Sequence, residues 1–471
     1  MDIFALGLDF KGEPIFPGLA ETDFARSLVN TLDGNISDLR NIAGATMEGV
    51  SYRGEVTRET EDPADPTTAG WTYLVNGGDA RRDDIAAIMA PLARHRNMVN
   101  DQVPLLYNGE PPDEWFNWMT DNYFGLYLDN REIPAYILIV GGPEQIPFRF
   151  QSLLDVSANV GRIDFDTLEE LEQYVAKLIR IETADDPLVT RDAVLFGPDG
   201  GITDPTFFSC KYMVEPIARY MEDDLGFTPH TLLRDDATKA KLLDTLGSLT
   251  PAIVYTASHG LGATSEPHDV QRRYNGAICC QHSGPLDLNA LFCADDIPVD
   301  RPFLEGSVFF QFACFGYGTP AKSDYAHWLD GVPETYTGTD FVAALPKKLL
   351  AHPRGPVAYI GHMDTAFLHA FADPNAPHAL DRWHTRIAPF VTAVEDLLGV
   401  RPSGLAMKDL NERFNIANMI ITNTYDRIRR GNFQWTEERE TRFVDTWITR
   451  GDAQNYMVLG DPAAHLRIPA P

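Results

Sequence analysis

The sequence predicts an α/β fold: a mostly parallel sheet with helices on both of its faces. Three observations lead there. Short apolar runs end abruptly in glycine or proline, helical patterns alternate with those runs, and a set of helical patterns closes the chain. Strand–helix alternation with buried strands is the pattern of a parallel sheet covered on both sides.

The clearest run is 135–140, Ala-Tyr-Ile-Leu-Ile-Val, closed by Gly141-Gly142-Pro143. A strand covered on both faces needs no polar alternation, so this reads as a buried strand. The runs 192–197, 252–256, 307–312 and 355–360 read the same way, with a short strand at 232–234 and a last one at 453–459. Between them lie helical patterns at 207–224 and 237–246, and one at 167–180 that opens on Thr167 with Glu170 three residues on, a capping box. Helices are also expected at 83–95, 113–128, 381–398, 406–430 and 437–450, and a Thr/Pro/Glu-rich surface loop at 55–69.

With 471 residues the chain is long enough for two or three structural units. It carries 68 acidic residues against 39 basic ones, a formal net charge of −29. Such a surface repels phosphate backbones, so nucleic acid is not an expected partner. No run of 18 apolar residues exists, so no membrane-spanning helix is expected. The first residues lack a positive stretch followed by an apolar run, so no secretory signal is expected. The five cysteines (Cys210, Cys279, Cys280, Cys293 and Cys314) are sparse and unpatterned, which argues against a disulfide framework and for a reducing, cytoplasmic setting. No Cys/His array with zinc spacing occurs, and no cofactor or metal is expected.

In open α/β sheets, functional residues collect past the carboxyl ends of strands. Strand 252–256 runs into Ala257-Ser258-His259-Gly260, and strand 307–312 into Ala313-Cys314-Phe315-Gly316. Alone, a histidine after a strand is usually a loop residue and a cysteine among apolar residues a core residue. Together, at two strand ends 55 residues apart (314 − 259), they suit a thiol nucleophile and its base. Gly260, without a side chain, lets its N–H approach an oxyanion, and the Cys314 N–H is the second candidate donor. Cys279-Cys280, just before His282, is either another nucleophile or a strand between the two loops, and the strand is preferred. His362, at the end of strand 355–360, reads as structural or pocket-forming.

Strand-His-Gly followed by strand-Ala-Cys resembles the caspase-like cysteine peptidases, a group that includes caspases, gingipains, separase and CHAT proteases. The gingipain resemblance extends through Tyr136–Pro147, through Val160-Gly161-Arg162-Ile163 and the helix ending Lys177–Glu182, and to the closing Gly460-Asp461-Pro462. It spans roughly residues 134–467, and departs at Gly142 and Ser258, where Asp and Gly are common. The resemblance implies a three-layer caspase-like sandwich around a mostly parallel sheet, a preceding smaller α/β subdomain and a helical C-terminal region. The corresponding divisions are 1–131, of unclear fold; 132–189, the subdomain, which extends into 1–131 if more strands lie there; and 190–471, the catalytic domain.

The implied activity is a cysteine endopeptidase working through an acyl-enzyme on protein or peptide substrates, cleaving after a basic P1 residue. That preference needs an acid in S1. The resemblance places acids in the loop after strand 192–197: Asp199 to orient His259 and Asp204 to line S1, both of which also read as solvated loop aspartates. Asp324 and Asp364 are weaker candidates. An alternative is an intracellular bacterial effector protease activated by a protein partner or ligand, the CHAT manner of working. Another is a non-catalytic scaffold on the same fold.

Overall fold

The computed structural model describes residues 2–3, 5–15, 19–20, 62–100, 103–129, 132–262, 265–282, 286–325, 335–372 and 386–470. Most of the loop expected at 55–69, the start of the helix expected at 381–398, and Gly284-Pro285 lie outside them, wholly or in part.

Among the described residues, one ten-stranded sheet organises the chain. In sequence order its strands are β1 (Trp71–Asn76), β2 (Leu105–Tyr107), β3 (Tyr136–Val140), β4 (Asn159–Ile163), β5 (Asp192–Gly197), β6 (Thr228–Leu233), β7 (Ile253–Ala257), β8 (Val308–Phe312), β9 (Ala358–His362) and β10 (Tyr456–Gly460). Their spatial order is β2-β1-β3-β4-β10-β9-β8-β7-β5-β6. Every neighbouring pair is parallel except β9 and β10. The sheet is therefore two parallel blocks of opposite direction, joined by the last strand of the chain. Strands β5 to β9 all present their carboxyl ends on one edge, and β1 to β4 on the other. The apolar runs are buried throughout, as at β3, β7, β8 and β9, which is what a sheet with both faces covered requires.

The helix Leu168–Glu182 starts where its capping box stands: Thr167 Oγ1 accepts from Glu170 N–H, and Glu170 accepts from Thr167 N–H. Helices Ala388–Leu398, Lys408–Arg429 and Glu437–Gln454 form the helical C-terminal region. Two outcomes differ from the sequence reading. The stretch 71–107 supplies two strands of the main sheet. The expected helix at 113–128 is present but irregular, passing without a gap from a 3-10 turn (Pro112–Glu114) through an α turn (Trp115–Trp118) and a π turn (Met119–Tyr123) to a second 3-10 stretch (Phe124–Asp129). Packing decides the second case: Trp115 and Trp118 both pack edge-on against Phe150, and the Tyr123 hydroxyl donates to the Pro134 carbonyl.

The motifs at the two ends of the chain's core meet physically. Gly161 lies against the closing segment so closely that a Cβ there would stand 2.2 Å from Gly460 O. Asp461 accepts from the Trp71 indole N–H at 2.9 Å and from Arg96 Nε at 2.8 Å, and Arg96 also pairs with Glu182 at 2.6 Å. Arg162 donates to Gln151 and to the carbonyls of Gly141 and Ile146. Paired and hydrogen-bonded in this way, the buried charges are tolerated.

Candidate active site

β7 and β8 are parallel neighbours with Ala257 opposite Phe312, and the ladder continues as Ser258 N–H donates to Phe312 O at 3.1 Å. His259 and Cys314 each follow two residues beyond that last pair, so they leave the sheet at the same level. The loops then touch. A Cβ on Gly260 would stand 1.9 Å from the Cys314 carbonyl oxygen, so this contact admits only glycine. The structure thus brings His259, Gly260 and Cys314 to the same sheet edge, with Gly260 against the Cys314 backbone.

The histidine is held from β5. After that strand, Asp204 caps the helix Pro205–Ser209, accepting from Thr206 N–H. Both Asp204 carboxylate oxygens lie 3.0 Å from His259 Nε2. Burial raises the Asp204 pKa, but the hydrogen bonds from His259 and Thr206 and the attraction of the imidazole outweigh it and hold the carboxyl at about 2. A carboxylate acceptor keeps the proton on Nε2, which leaves Nδ1 as the basic nitrogen. Nδ1 is buried without a hydrogen-bond partner among the described residues.

Cys314 is fully buried, and burial pushes its thiol far above the ordinary value. Its sulfur accepts from Ala366 N–H at 3.1 Å. The next residue, Phe315, has φ +58°, and Asp364 has φ +65°; they are tied by Phe315 N–H donating to Asp364 O at 2.8 Å. Left-handed backbone at two non-glycine residues is a local strain held by the surrounding structure. The two candidate oxyanion donors point at one atom: Gly260 N–H at 3.0 Å and Cys314 N–H at 3.3 Å both donate to the carbonyl oxygen of Leu6.

The other candidates fall elsewhere. Asp199, named to orient His259, accepts instead from Gly201 N–H and lies 3.9 Å from Arg234. Asp204, named for S1, is the residue that contacts His259; a helix cap of Asp-Pro-Thr type is readable from sequence, but the imidazole it faces is not. Asp324 pairs with Arg149, and its N–H donates to Asp364. Asp364 is fully buried, and its pKa is pushed up to about 6 by burial and by Asp324. Cys279 lies in a short strand, Ile278–Cys279, between Gly260–Leu261 and Leu291–Phe292; burial raises the Cys280 thiol to about 12. His362 packs edge-on against Tyr456, 3.4 Å from Asp452. Among the described residues no group of three or more acidic, His or Cys side chains is placed to hold a metal ion, and no helix is long and apolar enough to cross a membrane. Sequence reasoning missed Leu6 and Ala366 altogether, because neither carries reactive chemistry of its own.

Residues 59–277 match the model of peptidase family C25. The protein is accordingly a cysteine peptidase, a hydrolase. The matched C25 segment contains Asp204, His259 and Gly260 and ends before β8, so Cys314 lies beyond it. No curated protein sequence matches the chain. Solved structures that align with the chain include the complex of the pro- and mature domains of RgpB from Porphyromonas gingivalis, at 13% identity and a TM-score of 0.44, covering 84% of this chain and 80% of that one. Another is the Arg-specific cysteine proteinase gingipain R, at 13% identity and a TM-score of 0.42, covering 85% of this chain and 79% of that one. The separase–securin complex of Saccharomyces cerevisiae aligns at 11% identity and a TM-score of 0.32, over 77% of this chain and 18% of that one.

Proposed function

We propose that the protein is an endopeptidase with Cys314 as nucleophile, His259 as general base and acid, and Asp204 as the residue that positions His259. What carries the reading is the equal level of His259 and Cys314 past the paired residues Ala257 and Phe312 of neighbouring parallel strands. The Cys314 thiol gives its proton to His259 Nδ1 and adds to the substrate carbonyl. The oxyanion falls between the Gly260 and Cys314 amides, and the imidazolium then protonates the leaving amine. Water opens the thioester by the same route in reverse.

The basic P1 residue implied by the gingipain resemblance has less support. Asp199, Asp204, Asp324 and Asp364 are each engaged by Gly201, His259, Arg149 and backbone amides respectively. The activated-effector reading has one observation in its favour: the nucleophile is fully buried and both oxyanion donors are occupied, the condition of an enzyme awaiting release. The five cysteines are all free, which suits a reducing, cytoplasmic setting.

A fluorogenic peptide library tests the proposal. Wild type should hydrolyse some of its members, Cys314→Ala and His259→Ala should hydrolyse none, and Cys279→Ala and Cys280→Ala should keep most of the activity. A Cys314→Ala protein that still cleaves would sink it and leave the scaffold reading.

A further inference from the structure

Residues 5–8 cross the candidate site as an extended peptide. Ala5 bridges Phe367 in antiparallel fashion, and Leu6 N–H donates to the Ala366 carbonyl at 2.9 Å. Leu6 O takes the Gly260 and Cys314 amides, at 3.0 and 3.3 Å. Gly7 and Leu8 then pair with Gly260 and Leu261 as a parallel strand, and Gly262 N–H donates to Leu8 O at 2.8 Å. Backbone pairing on both sides of one carbonyl, with that carbonyl on the two oxyanion donors, is how an extended peptide substrate is held. The side chains agree. Leu6 is 0% exposed. A Cβ on Gly7 would stand 2.4 Å from Ile15 Cδ1 and 3.1 Å from Cys314 Cβ, so a larger residue after Leu6 has to displace the Ile15 side chain or shift the segment. The chain then turns at 9–13 and returns, with Ile15 N–H donating to Gly7 O at 3.1 Å.

We propose that this segment is a tethered substrate, with Leu6 in P1 and Gly7 in P1′, and that the site acts on peptides carrying an apolar residue followed by glycine, beginning with its own Leu6–Gly7 bond. The inference rests on the peptidase reading above and adds the substrate class to it. In the self-cleaving step the Cys314 sulfur bonds to the Leu6 carbonyl carbon, and the thiol proton passes to His259. The bond from Leu6 to the Gly7 nitrogen breaks, and that nitrogen leaves with the proton. Water then cleaves the thioester, releasing a chain that ends in the Leu6 carboxylate and restoring the thiol. Until the cut, the segment covers the nucleophile and fills the oxyanion donors, so the uncut protein is latent.

The test uses the full chain as wild type, Cys314→Ala and Gly7→Val, with amino-terminal peptide mapping by mass spectrometry. A fluorogenic peptide series in which only the residue before Gly varies (Leu, Phe, Arg, Lys) supplies the second readout. Wild type should acquire an amino terminus at Gly7, and Cys314→Ala should not. Gly7→Val, whose side chain crowds Ile15 and the Cys314 Cβ and lifts the segment off the nucleophile, should stay uncut at that bond yet, with Cys314 uncovered, hydrolyse the Leu-Gly peptide at least as fast as wild type. The Leu-Gly peptide should be turned over at least tenfold faster than the Arg-Gly and Lys-Gly peptides. Hydrolysis of the Arg or Lys peptides in preference, with the Leu6–Gly7 bond intact, overturns this inference and leaves the peptidase reading standing. So does a Gly7→Val chain cut as readily as wild type. Hydrolysis of no peptide and no self-cleavage brings down the peptidase reading and this inference with it.

Discussion

Both carboxylate oxygens of Asp204 lie 3.0 Å from Nε2 of His259. That contact joins a loop after β5 to a loop after β7 and decides which face of the imidazole is free. In the mechanism we propose, a carboxylate at Nε2 orients the ring and stabilises the imidazolium formed when Cys314 gives up its proton, so its removal should act on the chemical step. Asp204→Asn keeps the shape and removes the charge. We expect kcat to fall by on the order of 10²–10⁴-fold, the usual worth of a positioned acid–base group, with KM little changed. Steady-state kinetics on the best library peptide checks this; an unchanged kcat would assign Asp204 to helix capping alone.

Gly260 supports a second prediction. A methyl group there meets the Cys314 carbonyl at 1.9 Å, backbone against side chain with nothing flexible to yield. Gly260→Ala must push the two loops apart and pull one of the two proposed oxyanion donors out of place. Loss of one such donor costs roughly 10²–10³-fold in kcat, and we expect at least that, with a melting temperature a few degrees lower. Full activity in Gly260→Ala would show that the oxyanion is held elsewhere.

The knot of Arg96, Glu182 and Asp461 makes a stability prediction. Arg96 and Glu182 side chains are each only 4% exposed, and Asp461 is fully buried. Arg96→Ala leaves buried Glu182 with His95 alone and takes the arginine from buried Asp461, and breaking a buried pair in this way costs about 3–5 kcal/mol. Urea unfolding monitored by tryptophan fluorescence measures it. A loss under 1 kcal/mol would mean that the closing strand is held by packing alone.

Acid sensitivity follows from the same residues. Burial raises the Glu182 pKa, but Arg96 and His95 outweigh it and hold the carboxyl at about 2, against an ordinary value of 4.5. A depressed carboxyl contributes stability that is complete above the unfolded-state value and disappears as pH falls toward the folded one. Wild type should therefore lose melting temperature between about pH 5 and pH 2. The gap between wild type and Glu182→Gln should narrow over the same interval. A gap that stays constant from pH 5 to pH 2 would rule out ionised Glu182 as its source.

Much of this protein was legible in its residues. Val308–Phe312 and Ile253–Ala257 are apolar throughout, and a strand that is apolar on both faces has to be covered on both, so the parallel sheet followed from composition alone. The ends of those strands named His259, Gly260 and Cys314, because parallel neighbours deliver their carboxyl ends to one edge. Trp71–Asn76 escaped because its polar Thr72 and Asn76 blur the run, and Leu105–Tyr107 because three residues carry no period.

What the sequence by itself determined is the local and the periodic: which runs are strands, where Thr167 caps a helix, which thiol and imidazole sit at strand ends. Tertiary structure alone decided which of two loop aspartates reaches His259, why Gly460-Asp461-Pro462 closes against Gly161, and that Leu6 brings its carbonyl to Gly260 and Cys314. These contacts join residues tens to hundreds of positions apart. No local pattern marks them, because a hydrogen bond across the fold depends on where the sheet carries each partner and not on the neighbours either one has along the chain.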